Sequence, residues 1–337
     1  MGAPHPAAID FDAVEQLLKK ARAQAGSATA TTLNIIIYVD DEDLEARANA
    51  KAEALAKKYP ARVMILHTDT EEAKVRSSVS HIGEGTTINA ESIELGIADM
   101  SAAAVCSAIE ALRVPDIPNV LWWTSATVAN EALFDALIAM MDTVIVDSSG
   151  GADGEHGAIS ELAQFFSGNK PVLMRDLAYM RLAPWQDMVA QFFDNADFLS
   201  DLHRIERVEI ASGSSAEGYY LVAWLASRLN WKACGRFSLC DPSGRAVRVE
   251  LKKDGDLRRV LRVALSTADT TFSADLTDSP DTVCLSMTGA KNSPKRCSPL
   301  PHIDNLSLLE KAFLIAAHDE VFEASIRTVY DLLQFES

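Results

Sequence analysis

The residues that could do chemistry in this chain are scattered. Seven histidines occur, at positions 5, 67, 81, 156, 203, 302 and 318, and none forms HxH, HExxH or an HxE…CxxC pattern. That spacing predicts no metal site. No GxSxG nucleophile elbow appears, and no GxGxxG follows a strand, so the sequence offers neither a hydrolase nor a dinucleotide fingerprint. The best phosphate-cradle candidate is ASGSSAEG (Ala211–Gly218), a strand-to-helix turn whose free N–H groups and serine hydroxyls can hold an anion. Ser212, Gly213, Ser214 and Ser215 would form it. The segment lacks the lysine of a P-loop, and serine and glycine also simply cap helices. Other strands end in VDD, HTD, WTS and VDSSGG, where Asp40, Asp41, Asp69 and Asp147 would repel phosphate; capping is the plainer role for these acids.

The five cysteines, Cys106, Cys234, Cys240, Cys284 and Cys297, form no CxxC. An odd count without a secretory leader predicts mostly inert thiols in a reducing cytoplasm. Net charge is −17, with 31 basic and 48 acidic residues. This weighs against nucleic acid and anionic membrane as main partners, and neither is expected. The charge is uneven: 25 acids and 11 bases up to Gly168 give −14, and the remaining 23 acids and 20 bases give −3. At 337 residues the chain should hold two domains. Its apolar runs, such as Leu33–Val39, are too short to cross a bilayer, and the start, MGAPHPAAIDFD, reads neither as a signal peptide nor as a myristoylation site.

The elements that must position these residues follow from periodicity. A helix is expected over 9–25 and a linker over 25–32. TLNIIIYVD (Thr32–Asp40), a helix to Pro60 and RVMILHTD (Arg62–Asp69) make a βαβ unit and imply a parallel pair. Alternating segments 75–82 and 86–97 suggest a hairpin around Gly83–Gly85. Helix 100–112, strand 119–125, helix 130–140, strand 142–149 and helix 157–166 complete an acidic three-layer α/β domain over 1–168 with a mainly parallel sheet. Over 169–337 the pattern changes to an α+β domain. A helix over 182–193, strand 207–212 and helix 215–229 precede an antiparallel meander of RFSLCD, RAVRVELKK, RRVLRVALS, TFSADLTD and DTVCLSMTG, covered by two terminal helices.

The meander has a polarity. Val247, Val249 and Leu251 face one side, and Arg248, Glu250 and Lys252 the other; Leu261, Val263 and Leu265 oppose Arg262. Seven bases lie between Arg245 and Arg262: these two, Arg248, Lys252, Lys253, Arg258 and Arg259. A solvated sheet face is the plain reading, and a docking surface for an acidic partner or a phosphorylated effector is the sharper one. Cys240 and Cys284 fall on the same wet face, where thiols could sense redox state or be inert. Trp122 and Trp123, adjacent in a strand, should face opposite sides. RDLAYMRLAPWQD (Arg175–Asp187) places Arg175, Arg181 and Trp185 near the junction of the halves. These are residue types common in interface anchors and equally in an interdomain hinge, where Trp185 would be buried.

Several segments carry a family resemblance. TLNIIIYVDDEDL, KKYPARVMIL, VPDIPNVLWW, VIVDSS, DLAYMRLAPWQD and AEGYYLVAWLASRL, in that order, resemble the OpcA family of glucose-6-phosphate dehydrogenase assembly proteins, also described as effectors or subunits of that enzyme. DLAxxRLxPW (Asp176–Trp185) is the most specific, and the likeness spans residues of about 30–265. The resemblance implies a non-catalytic, cytoplasmic partner of glucose-6-phosphate dehydrogenase, in the oxidative pentose phosphate pathway, with no catalytic residues and no cofactor to carry over. Redox control known in cyanobacterial relatives is not transferred, because these cysteines form no recognisable paired motif. The competing expectation is an enzyme or sensor that binds a sugar phosphate or nucleotide at Ser212–Ser215.

Overall fold

In the computed structural model, residues 16, 19–20, 31–56, 58–68, 75–76, 90–98, 100–125, 127, 131–150, 157–167, 172–255, 259–279, 281–290, 293–301, 303–314 and 317–335 are described. The expected helix over 9–25, the turn at Gly83–Gly85, and His5, Asp69, His81, His156, Arg258 and His302 lie largely or wholly outside them. The chain divides into two units. One comprises 1–147, 171–175 and 309–316; the other comprises 148–170, 176–308 and 317–337. The division falls some twenty residues before the expected boundary at 168, so the helix over 157–167 belongs to the second unit.

The first unit is built on β1 (Leu33–Val39), β2 (Ala61–His67), β3 (Val75–Arg76), β4 (Ala90–Gly96), β5 (Asn119–Trp123), β6 (Thr143–Val146) and β7 (Leu173–Asp176). The order is β3-β4-β2-β1-β5-β6-β7. The pairs β1–β2, β1–β5, β2–β4 and β5–β6 are parallel, and the short β3 runs antiparallel to β4. β1, β2 and β5 are near-continuous apolar runs because both faces are buried, as parallel strands require. α1 (Glu42–Ala56) makes the β1–β2 crossover. α2 (Ala102–Leu112) starts at Ser101, whose side chain accepts from the Ala104 N–H, and buries Val105, Ala108, Ile109 and Leu112. α3 (Glu131–Ile138) follows β5. Trp122 and Trp123 are both buried, and Trp123 stacks on Tyr38 with ring centroids 3.6 Å apart.

Buried polar groups fix the loop that enters β5. The Asn34 amide donates to Val114 O at 2.8 Å and to Asn119 Oδ1 at 2.9 Å, and Asn34 Oδ1 accepts from the Val114 N–H. The RVPDIPN loop is thus tied to the middle of the sheet. Arg62 is buried against Glu91 and also donates to Leu112 O at 2.7 Å, so the guanidinium has both a counter-charge and a carbonyl.

The second unit contains α4 (Gly157–Ser167), α5 (Leu177–Met180), α6 (Ala183–Ala190), a 3-10 turn Gln191–Phe193, α7 (Ala196–Leu202) and α8 (Ser215–Leu229). α9 (Asn305–Leu314) is divided, with 305–308 in the second unit and 309–314 in the first, and α10 (Glu320–Gln334) ends the second unit. Its sheet is β8 (Arg207–Ser212), β9 (Lys232–Gly235), β10 (Ser238–Cys240), β11 (Ala246–Lys253), β12 (Val260–Ser266), β13 (Thr270–Leu276), β14 (Thr282–Gly289) and β15 (Ser293–Pro299). The order is β15-β14-β13-β12-β8-β11-β10-β9. The expected uninterrupted meander is corrected here. β8 lies between β11 and β12, parallel to β11 and antiparallel to β12, so the antiparallel run is split into β9–β10–β11 on one side and β12 to β15 on the other. α8 leads directly from β8 and is buried along most of its length, which sets β8 in the centre. β7, β9 and β15 are additional strands that the sequence pattern does not announce.

Candidate functional site

The DLAYMRLAPWQD segment folds as a buried polar centre in the second unit. Asp176 ends β7 and caps α5, accepting from the Ala178 N–H at 2.9 Å. It also accepts from the Ser148 N–H at 3.1 Å and from the Tyr220 hydroxyl at 2.7 Å. Asp176 is 1% exposed, so its charge is held by three donors rather than by water. Burial, followed by the Asp176 charge and its hydrogen bond, pushes the Tyr220 phenol well above its usual range. Beside this pair, Arg181 donates to Ser149 Oγ at 2.5 Å, and its Nε lies 3.5 Å from Glu217. Glu217 sits in the first turn of α8 and is 1% exposed. Tyr179 packs on Tyr220 and Phe322, and its phenol is pushed up to about 12, first by burial and then by the Asp319 charge.

The expected burial of Trp185 is observed, and Arg175 and Arg181 are turned inward as well. Arg175 is buried and donates to Met174 O at 2.8 Å. The Arg181 side chain is 13% exposed and turned to Glu217 and Ser149. Trp185 is 3% exposed on α6, among buried Pro184, Met188 and Val189. Arg175 falls in the first unit, and Arg181 and Trp185 in the second. Asp176, Glu217, Tyr220 and Ser149 were not singled out by sequence reasoning. Glu217 had a signal, a lone acid in the apolar run of AEGYYLVAWLA.

The outward face of the second sheet is where charge is offered. Arg248, Lys252 and Arg262 are all exposed. Register brings two of them into one row, since Arg262 and Lys252 both lie opposite Ala211 on the intervening β8. Arg248 lies opposite Arg207. Arg207 bonds Glu250 at 2.7 Å and lies 3.3 Å from Glu209, and Lys252 lies 3.5 Å from Glu209. The Arg207 hydrogen bond holds the Glu250 carboxyl below the usual range. Arg262 pairs with Asp275. Arg248 has no carboxylate within 4.0 Å among the described residues. Val247, Val249, Val263 and Leu265 are buried on the opposite side, as the alternation requires.

The reading of the cysteines as unpaired thiols is corrected too. Cys234 is bonded to Cys240, and Cys284 to Cys297. Both pairs join neighbouring antiparallel strands: Cys284 lies directly opposite Cys297 on β15, and β10 carries Cys240 beside β9. Strand pairing, not a short motif, brings them together. Cys106 is the remaining thiol, and burial pushes it above its usual range.

At the start of α8, Ser212 Oγ donates to Ser214 O at 2.8 Å, and the Gly213 N–H donates to Arg259 O at 2.9 Å. Ser214 is the N-cap but makes no side-chain capping bond; its hydroxyl is buried, with no hydrogen-bond partner among the described residues. The described residues contain no cluster of His, Cys, Asp or Glu that could hold a metal, and no helix long and apolar enough to cross a membrane.

Two family models match in chain order. Residues 52–164 match the glucose-6-phosphate dehydrogenase subunit N-terminal domain, and residues 172–326 match the C-terminal domain. The chain belongs to the OpcA family. A Synechocystis relative named OxPP cycle protein OpcA is 29% identical over 217 residues, covering 58% of this chain and 45% of that protein. A Nostoc punctiforme relative of the same name is 30% identical over 187 residues, covering 53% and 40%. The matches thus span less than half the length of these relatives. Among solved structures, levoglucosan dehydrogenase in its apo form is 11% identical with a TM-score of 0.47, covering 90% of this chain and 97% of that one. An aldose–aldose oxidoreductase from Caulobacter crescentus complexed with glycerol is 10% identical with a TM-score of 0.47, covering 91% and 97%. The two OpcA models part between 164 and 172, beside the charge step at 168.

Proposed function

We propose that the chain is a non-catalytic, cytoplasmic assembly factor or effector that binds and activates glucose-6-phosphate dehydrogenase. The observation that carries this reading is the match to both subunit domains, in order and over most of the chain. The buried polar centre supports it: Asp176 is saturated with donors, and Glu217 lies beside Arg181, so neither is presented as an acid or base to a substrate. The exposed bases Arg248, Lys252 and Arg262 lie on a face of mixed charge, where Arg248 alone of the three has no carboxylate within 4.0 Å among the described residues. Charge of this kind steers association and fixes register more than it adds affinity.

The test is to mix the purified chain with purified dehydrogenase of the same organism and to measure mass and activity. The reading requires a complex and a rise in dehydrogenase rate. It also requires that the chain alone reduce no NADP. The second reading, a sugar-phosphate or nucleotide sensor, is favoured by the unbonded Ser214 hydroxyl at the start of α8. A melting shift of the chain alone with glucose 6-phosphate or NADP, and none with the dehydrogenase, would select it.

A further inference from the structure

β9 and β10 form a hairpin at the outer edge of the second sheet, with β9 the edge strand. Gly235, Arg236 and Phe237 make its tip, and the Cys234–Cys240 disulfide ties its two strands with Cα atoms 5.8 Å apart. Phe237 holds φ at +49°. Hairpin turns give this left-handed conformation to glycine or asparagine, and a bulky aromatic adopts it only under constraint. The constraint is visible: Phe237 O accepts from the Val249 N–H at 2.8 Å, which fastens the tip to β11. The ring remains partly exposed, with the Arg236 guanidinium 5.7 Å from its centroid.

Stability alone does not account for this residue, since glycine or asparagine would take the same backbone with less strain. Strain retained on a cross-linked hairpin, under a partly exposed aromatic residue and an exposed arginine, is the pattern of a preorganised anchor. Aromatic and arginine side chains dominate binding hot spots, and a rigid mount lowers the ordering cost of using them. The local charge agrees. Lys232 and Arg236 are exposed, and Arg248 on β11 lies opposite Ser238 of the hairpin. None of the three has a carboxylate within 4.0 Å among the described residues.

We propose that the Arg236–Phe237 tip is the anchor by which the chain docks the dehydrogenase, with Phe237 entering an apolar pocket of that enzyme whose rim of carboxylates meets Arg236, Lys232 and Arg248. This rests on the reading of the chain as a partner of that enzyme. The occupant is one protein surface of stated chemistry, apolar at the centre and acidic around it.

The experiment compares the full-length wild-type chain with Phe237→Gly and Phe237→Asn, measuring the melting temperature and the dissociation constant for the purified dehydrogenase. Both replacements accept a positive φ, so the hairpin keeps its turn. The expected result is a melting temperature equal to or above wild type, with binding weakened by about tenfold or more. Arg236→Glu should weaken binding as well, most at low salt. Binding within about twofold of wild type in both Phe237 variants overturns the inference alone. A fall in melting temperature in both variants that accounts for the loss of binding also overturns it, because Phe237 would then be structural. A wild-type chain that does not bind the dehydrogenase overturns the function and this inference together.

Discussion

The Tyr220 hydroxyl donates to the Asp176 carboxylate at 2.7 Å, and both side chains are buried. The bond joins the most specific part of the OpcA signature to the middle of α8. Removing the hydroxyl leaves the carboxylate its Ser148 and Ala178 donors but takes away one charge-assisted bond in a place water does not reach. Tyr220→Phe should therefore cost about 1.5–3 kcal/mol, read as a lower denaturant midpoint at unchanged slope. An unchanged midpoint would show that the bond contributes nothing net.

Trp185 tests whether the same segment is structural throughout. It is 3% exposed and flanked on α6 by Met188 and Val189. Trp185→Ala should cost about 3–5 kcal/mol, because the hole left in a packed helix layer closes only in part. A mutant that melts with wild type yet fails to bind the dehydrogenase would return Trp185 to the interface.

The strands and helices legible in the sequence were those whose patterns are decided locally. β1, β2 and β5 are apolar runs buried on both faces, and α1 and α8 have clear starts and stops. What stayed hidden depends on the partner rather than on the segment. β7 (LMRD) and β9 (KACG) are four residues each, too short to show alternation, and β15 (SPKRCSP) is an exposed edge with two prolines. The insertion of β8 between β11 and β12 is a long-range pairing that no local pattern encodes. The cysteine pairs are invisible for the same reason, since register and not spacing makes Cys284 meet Cys297. Of the candidate site, the polarity of β11 and β12 was readable from alternation, and it placed Arg248, Lys252 and Arg262 on the exposed face. The inward turn of Arg175 and Arg181 was not, because an arginine's type does not reveal whether an internal acceptor awaits it.

Alkaline pH should unfold the chain as its buried tyrosines ionise. Burial, followed by the Asp40 charge, pushes Tyr38 up to about 12; burial, followed by Asp319, does the same to Tyr179. Unfolded tyrosine ionises near pH 10. A raised folded pKa means that the folded state holds its proton where the unfolded state has lost it. The stability these groups contribute is therefore complete below about pH 10 and is lost as pH rises toward 12, at about 2–3 kcal/mol each. Tyrosinate absorbance should rise together with loss of helical circular dichroism. Full tyrosinate absorbance with the fold intact would contradict the burial.

The disulfides make a counting prediction. Denatured without reductant, the chain should take up one alkyl group, on Cys106, and after reduction it should take up five. In the native state Cys106 should react slowly, because burial keeps its thiol protonated. Reduction should lower the melting temperature, with the larger share from Cys284–Cys297. It closes the longer loop, with a sequence separation of 13 against 6, and loop closure restricts the unfolded chain more as the loop grows. Five labels before reduction would mean that neither pair is bonded.

The exposed sheet face makes the last prediction. Arg262 pairs with Asp275 and Lys252 lies 3.5 Å from Glu209, while Arg248 has no ion pair among the described residues. Each exposed charge alone is worth under about 1 kcal/mol, so single substitutions will not separate steering from noise. Reversing Arg248, Lys252 and Arg262 together to glutamate changes the face by six charge units while leaving Val247, Val249, Val263 and Leu265 packed. The triple mutant should stay folded, with a small loss of stability from the Asp275 and Glu209 pairings. Its association rate with the dehydrogenase should fall most at low ionic strength, where the Debye length reaches roughly 30 Å at 0.01 M, and should converge on wild type as salt is raised. An association rate unchanged at low salt would remove this face from the encounter and leave the acidic first unit as the next surface to test.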